Sequence, residues 1–121
     1  MLRHVLVVDD SELTRELFYE CLRASGIKVS LAFDAENAIE ILSNNGGDVN
    51  LVITDLCMPR EGDGVRLLEW ISSWNPNIPV VLMSGYEFEP GHAMYQKGFA
   101  EVIIKDDFSR KRLTSLVERH V

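Results

Sequence analysis

The chain has 121 residues, 46% of them hydrophobic and 26% charged, a balance typical of one soluble globular domain. Its longest aliphatic run, Val5–Val8, is far shorter than the roughly 20 apolar residues of a membrane-spanning helix, and the N-terminus lacks a secretory signal pattern, so we expect a cytoplasmic protein without a membrane partner. A net charge of −7 disfavours direct nucleic-acid binding. Cys21 and Cys57 form no CxxC motif and are predicted to be reduced thiols.

Short apolar strands and amphipathic helices alternate along the chain. In chain order the predicted elements are a strand at His4–Val8, a helix at Glu12–Ala24, a strand at Lys28–Phe33, a helix from Ala35 to the Asn45-Gly46-Gly47 stop, a strand at Leu51–Thr54, a helix at Gly64–Trp74, a strand at Pro79–Met83, a short helix at Pro90–Lys97, a strand at Val102–Ile104 and a helix from about Ser109. Several strands are apolar on both faces, as in parallel sheets covered on both sides. The alternation predicts an α/β fold, (βα)5, with a doubly wound five-stranded parallel sheet.

Capping residues and apolar spacing predict how the helices begin, end and pack. Ser11 and Asp34 can cap the first and second helices, and Gly26 can end the first. Apolar spacing predicts four inward-facing residues on each of four helices. They are Leu13, Leu17, Cys21 and Ala24 on the first helix, and Ala35, Ala38, Ile39 and Leu42 on the second. They are Val65, Leu68, Ile71 and Ser72 on the third, and Leu113, Leu116, Val117 and His120 on the last. Aromatic residues on the helical patterns are interpreted as packing residues, namely Phe18, Trp70 and Trp74.

Polar side chains follow four of the five predicted strands. Asp9 and Asp10 follow the first strand, Asp55 the third, Ser84 the fourth and Lys105 the fifth. The carboxyl ends of parallel strands lie at one edge of a sheet, where ligands bind. Each residue alone is readily explained as a cap, a turn residue or a solvated lysine, although no helix begins directly after Asp55. Together, three repelling carboxylates provide the hard oxygen ligands that Mg²⁺ prefers.

Four motifs, in this order and spacing, resemble those of the receiver domains of two-component response regulators: Val5–Asp10, Asp55–Pro59, Val80–Gly85 and Lys105. The resemblance covers residues 1–121 and implies a flavodoxin-like receiver fold. It implies that Asp55 is the phosphoacceptor, that Ser84 hydrogen-bonds the phosphoryl group and that Lys105 pairs with it. The implied cofactor is Mg²⁺, held by Asp10 directly, by Asp9 largely through water, by Asp55 and by the backbone carbonyl of Cys57.

The same resemblance implies the partners. A histidine kinase or a phosphotransfer protein is the expected phosphoryl donor, and the downstream protein target is unknown. The chain is not expected to be an enzyme beyond Mg²⁺-dependent phosphorylation of itself from a phosphodonor and its own dephosphorylation.

Four positions depart from the family pattern. Asp106 rather than proline follows Lys105, so we expect a trans peptide bond there. Val102 replaces the usual aromatic switch residue. The turn at Pro59–Gly64 is one residue longer than usual, with two glycines that permit a positive φ. The stretch Ser84–His92 leads into only a short, poorly helical segment.

Three other classes of function and one alternative role for a receiver-like domain fit these residues less well. Val102 and Asp106 slightly favour a phosphorylation-independent, receiver-like protein-binding module, whereas the complete set of site residues argues against it. A haloacid dehalogenase-type phosphatase needs a second aspartate two residues after its nucleophile, but Cys57 follows Asp55 at that spacing and Ser11 follows Asp9. The acidic residues after the first strand disfavour an FMN phosphate site, and the chain lacks the GxxxxGK motif of a P-loop nucleotidase.

Overall fold

The computed structural model describes residues 3–45, 48–60, 62–85, 87–105 and 109–121. The elements within these residues are β1 (His4–Val8), α1 (Glu12–Arg23), β2 (Lys28–Ala32), α2 (Ala35–Asn45), β3 (Leu51–Asp55), α3 (Asp63–Trp74), β4 (Val80–Ser84), a 3₁₀ helix (Ala93–Gln96), β5 (Glu101–Ile104) and α4 (Arg110–His120). In the part of the chain that is described, none of the helices combines the length and apolar character that a membrane span requires.

The five strands form one parallel sheet in the order β2-β1-β3-β4-β5. This order confirms the predicted doubly wound, flavodoxin-like fold. The chain moves outward from β1 to β2 and then returns to place β3 on the other side of β1, so the order reverses between β1 and β3. Ligand sites of such sheets lie at this reversal, beyond the carboxyl ends of the strands.

Alternate residues of the strands pack on opposite faces of the sheet, because side chains in a strand alternate in direction. Leu6 and Val8 of β1 belong to an apolar cluster with α2 and α3, and Val5 and Val7 belong to a second cluster with α1 and α4. All five residues of β1 are buried. The continuous apolar runs of the sequence therefore reflect a sheet that is covered on both sides.

Most of the predicted buried face of α1 is wrong, because only Cys21 of its four residues packs against the apolar core and Ala24 is exposed. Leu13 is 79% exposed and Leu17 is 39% exposed, whereas Phe18 and Leu22 are fully buried. The helix carries two apolar stripes, and periodicity alone does not decide which of them faces the sheet. The structure buries the stripe that carries the bulky phenylalanine ring and leaves the leucines of the other stripe at the surface.

The other helices follow the predicted pattern more closely. Asp34 caps α2 by accepting a hydrogen bond from the Asn37 amide at 2.7 Å, and Ser11 caps α1 by accepting one from Thr14 at 3.3 Å. In α3 the predicted Ser72 is exposed, and Leu67 is buried instead. Every other predicted inward residue of α2, α3 and α4 is buried or partly buried. Gly46 and Gly47, the predicted stop of α2, lie outside the described residues.

The predicted helix at Pro90–Lys97 is reduced to the 3₁₀ helix at Ala93–Gln96. Glycines with a positive φ flank it, Gly91 at 84° and Gly98 at 115°. Phe88 precedes it and is buried against Leu56 and Leu82. A single turn therefore stands between β4 and β5, where the other crossovers carry helices of three turns.

Candidate functional site

Three carboxylates meet at the carboxyl edge of the sheet. Asp9 and Asp10 follow β1, Asp55 ends β3, and carboxylate oxygens of all three lie within 4.8 Å of one another. Asp9 is fully buried, Asp55 is partly buried and Asp10 is exposed. The cluster is thus closed at the sheet and open to solvent on the side of Asp10.

Asp9 is held by several neighbours. Its amide donates to the carbonyl oxygen of Ala32 at 3.1 Å, and its Oδ1 accepts a hydrogen bond from the Ser11 amide at 2.8 Å. Its Oδ2 lies 2.6 Å from Nζ of Lys105 and forms an ion pair with it. Both carboxylate oxygens of Asp9 are therefore engaged by neighbouring groups, one by an amide and one by an ammonium.

Lys105 joins two of the carboxylates. Its Nζ donates to Oδ2 of Asp55 at 3.2 Å while it pairs with Asp9, and its amide donates to the carbonyl oxygen of Ser84 at 2.6 Å. Burial lowers the pKa of the Lys105 ammonium, but the two carboxylates outweigh burial, so this pKa lies above its usual value. Lys105 is therefore a permanently charged partner of the cluster.

Asp55 is a carboxylate with a raised pKa. Burial is the main cause of the rise, and the neighbouring charge of Asp9 adds to it. Lys105 and the Leu56 amide, which donates to Asp55 Oδ1 at 2.8 Å, act in the opposite direction. The environment therefore makes the Asp55 carboxylate more basic than an exposed aspartate, within a site that is largely shielded from water.

Ser84 and Cys57 lie at the same edge of the sheet. Ser84 is buried at the end of β4, directly after Met83, which is the register partner of Asp55. Cys57 is partly buried two residues after Asp55, in the loop that leads from β3 to α3. All the site residues named from the sequence are thus brought to one edge.

The loop between β3 and α3 depends on two residues whose roles the sequence did not indicate. A Cβ on Gly64 would lie 2.3 Å from the carbonyl oxygen of Asp55, so only glycine fits there. Its amide donates to the Leu56 carbonyl at 2.9 Å, and the buried carboxylate of Asp63 accepts from the Arg60 amide at 2.9 Å. Of the two glycines expected to permit a positive φ, Gly62 adopts one, at 88°, whereas Gly64 is required for space.

Arg15 is a further neighbour of the site, and its role could not be predicted from the sequence. It lies on α1, one turn after the cap Ser11, and its Nη1 donates to the backbone carbonyl oxygen of Asp9 at 2.6 Å. The only signal in the sequence is this spacing, which returns the side chain towards the start of the helix.

Besides the turn described above, two departures from the family pattern can be placed in the structure, and one cannot. Val102 is partly buried and packs against the cluster of Leu56, Leu82 and Phe88. The shortened segment after Ser84 is the 3₁₀ helix described above. Asp106, and with it the peptide bond after Lys105, lies outside the described residues.

The donor set fits a divalent cation. Hard carboxylate oxygens suit Mg²⁺, and a cation among three carboxylates relieves a repulsion that the single charge of Lys105 offsets only in part. The structural observation that favours a cation here is the donor set itself, three carboxylates whose oxygens lie within 4.8 Å of one another beside a single lysine. These residues form a cluster of acidic side chains that can bind a metal ion.

Comparisons with known proteins identify the family of the chain. The family model of the response regulator receiver domain matches residues 5–118. The DNA-binding transcriptional regulator NtrC of Bradyrhizobium is 34% identical over 95% of the chain, which spans 23% of that protein. The sensor kinase CckA of Brucella abortus is 35% identical over 68% of the chain, which spans 9% of that protein.

A solved structure extends the agreement to the fold. The receiver domain of NtrX from Brucella abortus is 30% identical, with a TM-score of 0.79 and 96% of both chains covered. The chain spans less than two-thirds of the length of the curated relatives named here, which include a sensor kinase and a transcriptional regulator. The matched profile, the fold and the shared sequence place the chain in the family of response regulator receiver domains of two-component systems.

Proposed function

We propose that this receiver domain is a phosphorylation-controlled switch that accepts a phosphoryl group on Asp55 in the presence of Mg²⁺. The observation that carries the proposal is the meeting of Asp9, Asp10 and Asp55 within 4.8 Å, with Lys105 paired to two of them. The donor is a histidine kinase or a phosphotransfer protein, in keeping with the sensor kinase among the relatives. A small phosphodonor replaces it in the test tube.

The reaction is a phosphoryl transfer to a carboxylate. One carboxylate oxygen of Asp55 attacks the phosphorus of the donor, a P–O bond forms, and the bond from phosphorus to the leaving group breaks. The electron pair of that bond leaves with the imidazole of the donor, or with acetate when acetyl phosphate is the donor. Attack of water on the phosphorus later releases inorganic phosphate and regenerates the carboxylate, so the chain turns over only its own phosphoryl group.

Charge neutralisation is the main requirement of this transfer. Asp10, Asp55 and the Cys57 carbonyl, with Asp9 in support, would hold Mg²⁺, which would supply positive charge to the transfer when bound. Lys105 Nζ lies 3.2 Å from Asp55 Oδ2. The same ammonium can pair with the carboxylate before the transfer and with the phosphoryl group after it. We assign the Ser84 hydroxyl, at the end of the neighbouring strand, as a hydrogen-bond donor to the phosphoryl group.

The helix α1 offers the donor a docking surface beside the site. The Asp55 side chain is only 13% exposed, so a donor has to lie close against the edge of the sheet. The first turns of α1 follow Asp10 directly and present Leu13, 79% exposed, and Leu17. Exposed leucines one helical turn apart provide the apolar contact that a helical donor domain needs.

The proposal is tested by intact-protein mass spectrometry after incubation with acetyl phosphate, with Mg²⁺ or with EDTA. We expect one adduct of about 80 Da, the mass of one phosphoryl group, formed only with Mg²⁺. The Asp55→Asn variant should remain folded and gain no adduct. Asp48→Asn, which changes an exposed aspartate near the opposite end of β3, should behave like the wild type.

An adduct that persists in Asp55→Asn would refute the assignment of the phosphoacceptor. A wild-type protein that gains no adduct with Mg²⁺, yet binds its protein partners, would instead favour the phosphorylation-independent binding module.

A further inference from the structure

The guanidinium of Arg15 is bound to the backbone that carries the acidic cluster. Its Nη1 donates to the carbonyl oxygen of Asp9 at 2.6 Å, which is the oxygen of the peptide group that joins Asp9 to Asp10. We propose that Arg15 is a positioning residue, which fixes this peptide group and thereby holds the carboxylates of Asp9 and Asp10 in the arrangement that binds the metal ion. The inference rests on the proposed metal site.

The Asp9 carbonyl needs such a partner because the sheet ends beside it. The parallel register of β1 runs to Val8, which is aligned with Ala32 of β2 and with Thr54 of β3. The Asp9 amide still donates to Ala32, but its carbonyl projects beyond the ladder. A backbone carbonyl at such a position is normally satisfied by another group, and here Arg15 satisfies it with a charged donor.

Asp10 depends on this peptide group more than Asp9 does. The carboxylate of Asp9 is held by the Ser11 amide and by Lys105. Asp10 is exposed, and its carboxylate is the member of the cluster that faces solvent. The direction of its Cα–Cβ bond is set by the backbone on either side of it, and Arg15 fixes the preceding peptide group.

A second role for Arg15, as a simple counter-charge to the three carboxylates, makes the opposite prediction. Removal of a nearby positive charge strengthens the binding of a cation, because a repulsion between two cations is lost. Removal of a positioning group weakens it, because the ligands no longer share one geometry. The sign of the change in Mg²⁺ affinity therefore separates the two roles.

The experiment is titration of metal-free protein with Mg²⁺ by isothermal calorimetry. We expect Arg15→Gln to raise the dissociation constant about tenfold, at the low end of the loss seen when a group that orients a metal ligand is removed. Arg15→Lys, which keeps a charged donor but loses the planar fork, should raise it by less. Arg23→Gln, the same substitution in the exposed last turn of α1, is the matched control and should leave it unchanged.

Backbone NMR of the metal-free variants gives a readout that does not depend on metal binding. The largest shift changes in Arg15→Gln are expected at the amides of Asp10 and Ser11, with the sheet unchanged. If Arg15→Gln does not fold, Arg15→Lys decides: a raised dissociation constant in a folded protein supports the inference, and an unchanged one overturns it.

An Arg15→Gln variant that is folded and binds Mg²⁺ as tightly as the wild type, or more tightly, would overturn the inference while leaving the proposed function intact. A wild-type protein that binds no Mg²⁺ would overturn both.

Discussion

Lys105 is the only cation paired with the acidic cluster in the part of the chain that the structure describes, and its loss is expected to cost much of the stability of the metal-free domain. Its Nζ lies 2.6 Å from Asp9 Oδ2 and 3.2 Å from Asp55 Oδ2. The Asp9 side chain is 0% exposed, that of Asp55 is 13% exposed and that of Lys105 is 22% exposed. In Lys105→Met two largely buried carboxylates lose the cation between them.

The distances set the size of the effect. At an effective dielectric constant of about 20, the Coulomb attraction of Lys105 is about 6 kcal/mol to Asp9 and about 5 kcal/mol to Asp55. The cost of burying the ammonium and the relaxation of the site offset much of this, and removal of one partner of a buried ion pair typically costs about 3–5 kcal/mol. We expect about 3 kcal/mol, or a fall in Tm of about 12 °C for a domain of this size.

The loss depends on pH and on Mg²⁺. Burial and Asp9 raise the folded-state pKa of Asp55, and removal of Lys105 raises it further because the lysine acts to lower it. A carboxyl whose folded-state pKa is raised destabilises the fold when it is ionised. The loss of stability in Lys105→Met is therefore complete above the folded-state pKa of Asp55 and becomes smaller as the pH falls through that value. Mg²⁺ should restore much of the loss, because it binds only the folded cluster.

Urea denaturation in EDTA at pH 8 and at pH 5, repeated with Mg²⁺ at pH 8, measures these effects. The double variant Lys105→Met/Asp9→Asn is the control, because removal of both partners leaves one fewer unpaired charge, and it should be more stable than Lys105→Met alone. A Lys105→Met variant whose free energy of unfolding in EDTA at pH 8 lies within about 1 kcal/mol of the wild-type value would refute the electrostatic reasoning. Such a loss is well below the range of about 3–5 kcal/mol for buried pairs.

Three further predictions concern the metal, the switch and the core. Asp10→Ala should weaken Mg²⁺ binding more than Asp9→Ala in calorimetry, because the Asp9 oxygens are already engaged by Ser11 and Lys105; equal losses would contradict these roles. Fluoroberyllate with Mg²⁺ should change amide exchange mainly over residues 84–91, because a valine at position 102 has no ring to move; changes confined to β5 and α4 would contradict this. Burial and the nearby Lys28, opposed by Asp48, lower the pKa of His4 below its usual 6.5. The contribution of His4 to stability should therefore be full above pH 6.5 and fall as the pH drops below it. In urea denaturation the free energy of unfolding of His4→Gln should depend less on pH than that of the wild type.

The class of fold and the residues of the site follow from the sequence alone. Apolar strands that alternate with helices indicate a parallel sheet covered on both faces. The topology of such a sheet brings the carboxyl ends of the strands to one edge. Asp9, Asp10, Asp55, Ser84 and Lys105 could be named together for that reason, since their positions after the strands decide their meeting. The outcome depends on periodicity and topology rather than on the details of packing.

The rotation of the helices and the surroundings of the cluster depend on how the elements pack in three dimensions. The leucine stripe and the phenylalanine stripe of α1 are equivalent in periodicity, and contact with the sheet selects the second. The contact of Arg15 with the Asp9 carbonyl and the fit of Gly64 against the Asp55 carbonyl join an α-helix to the end of a strand. Such contacts arise from the packing of elements against one another, so the order of residue types along the chain does not encode them in a pattern that can be recognised.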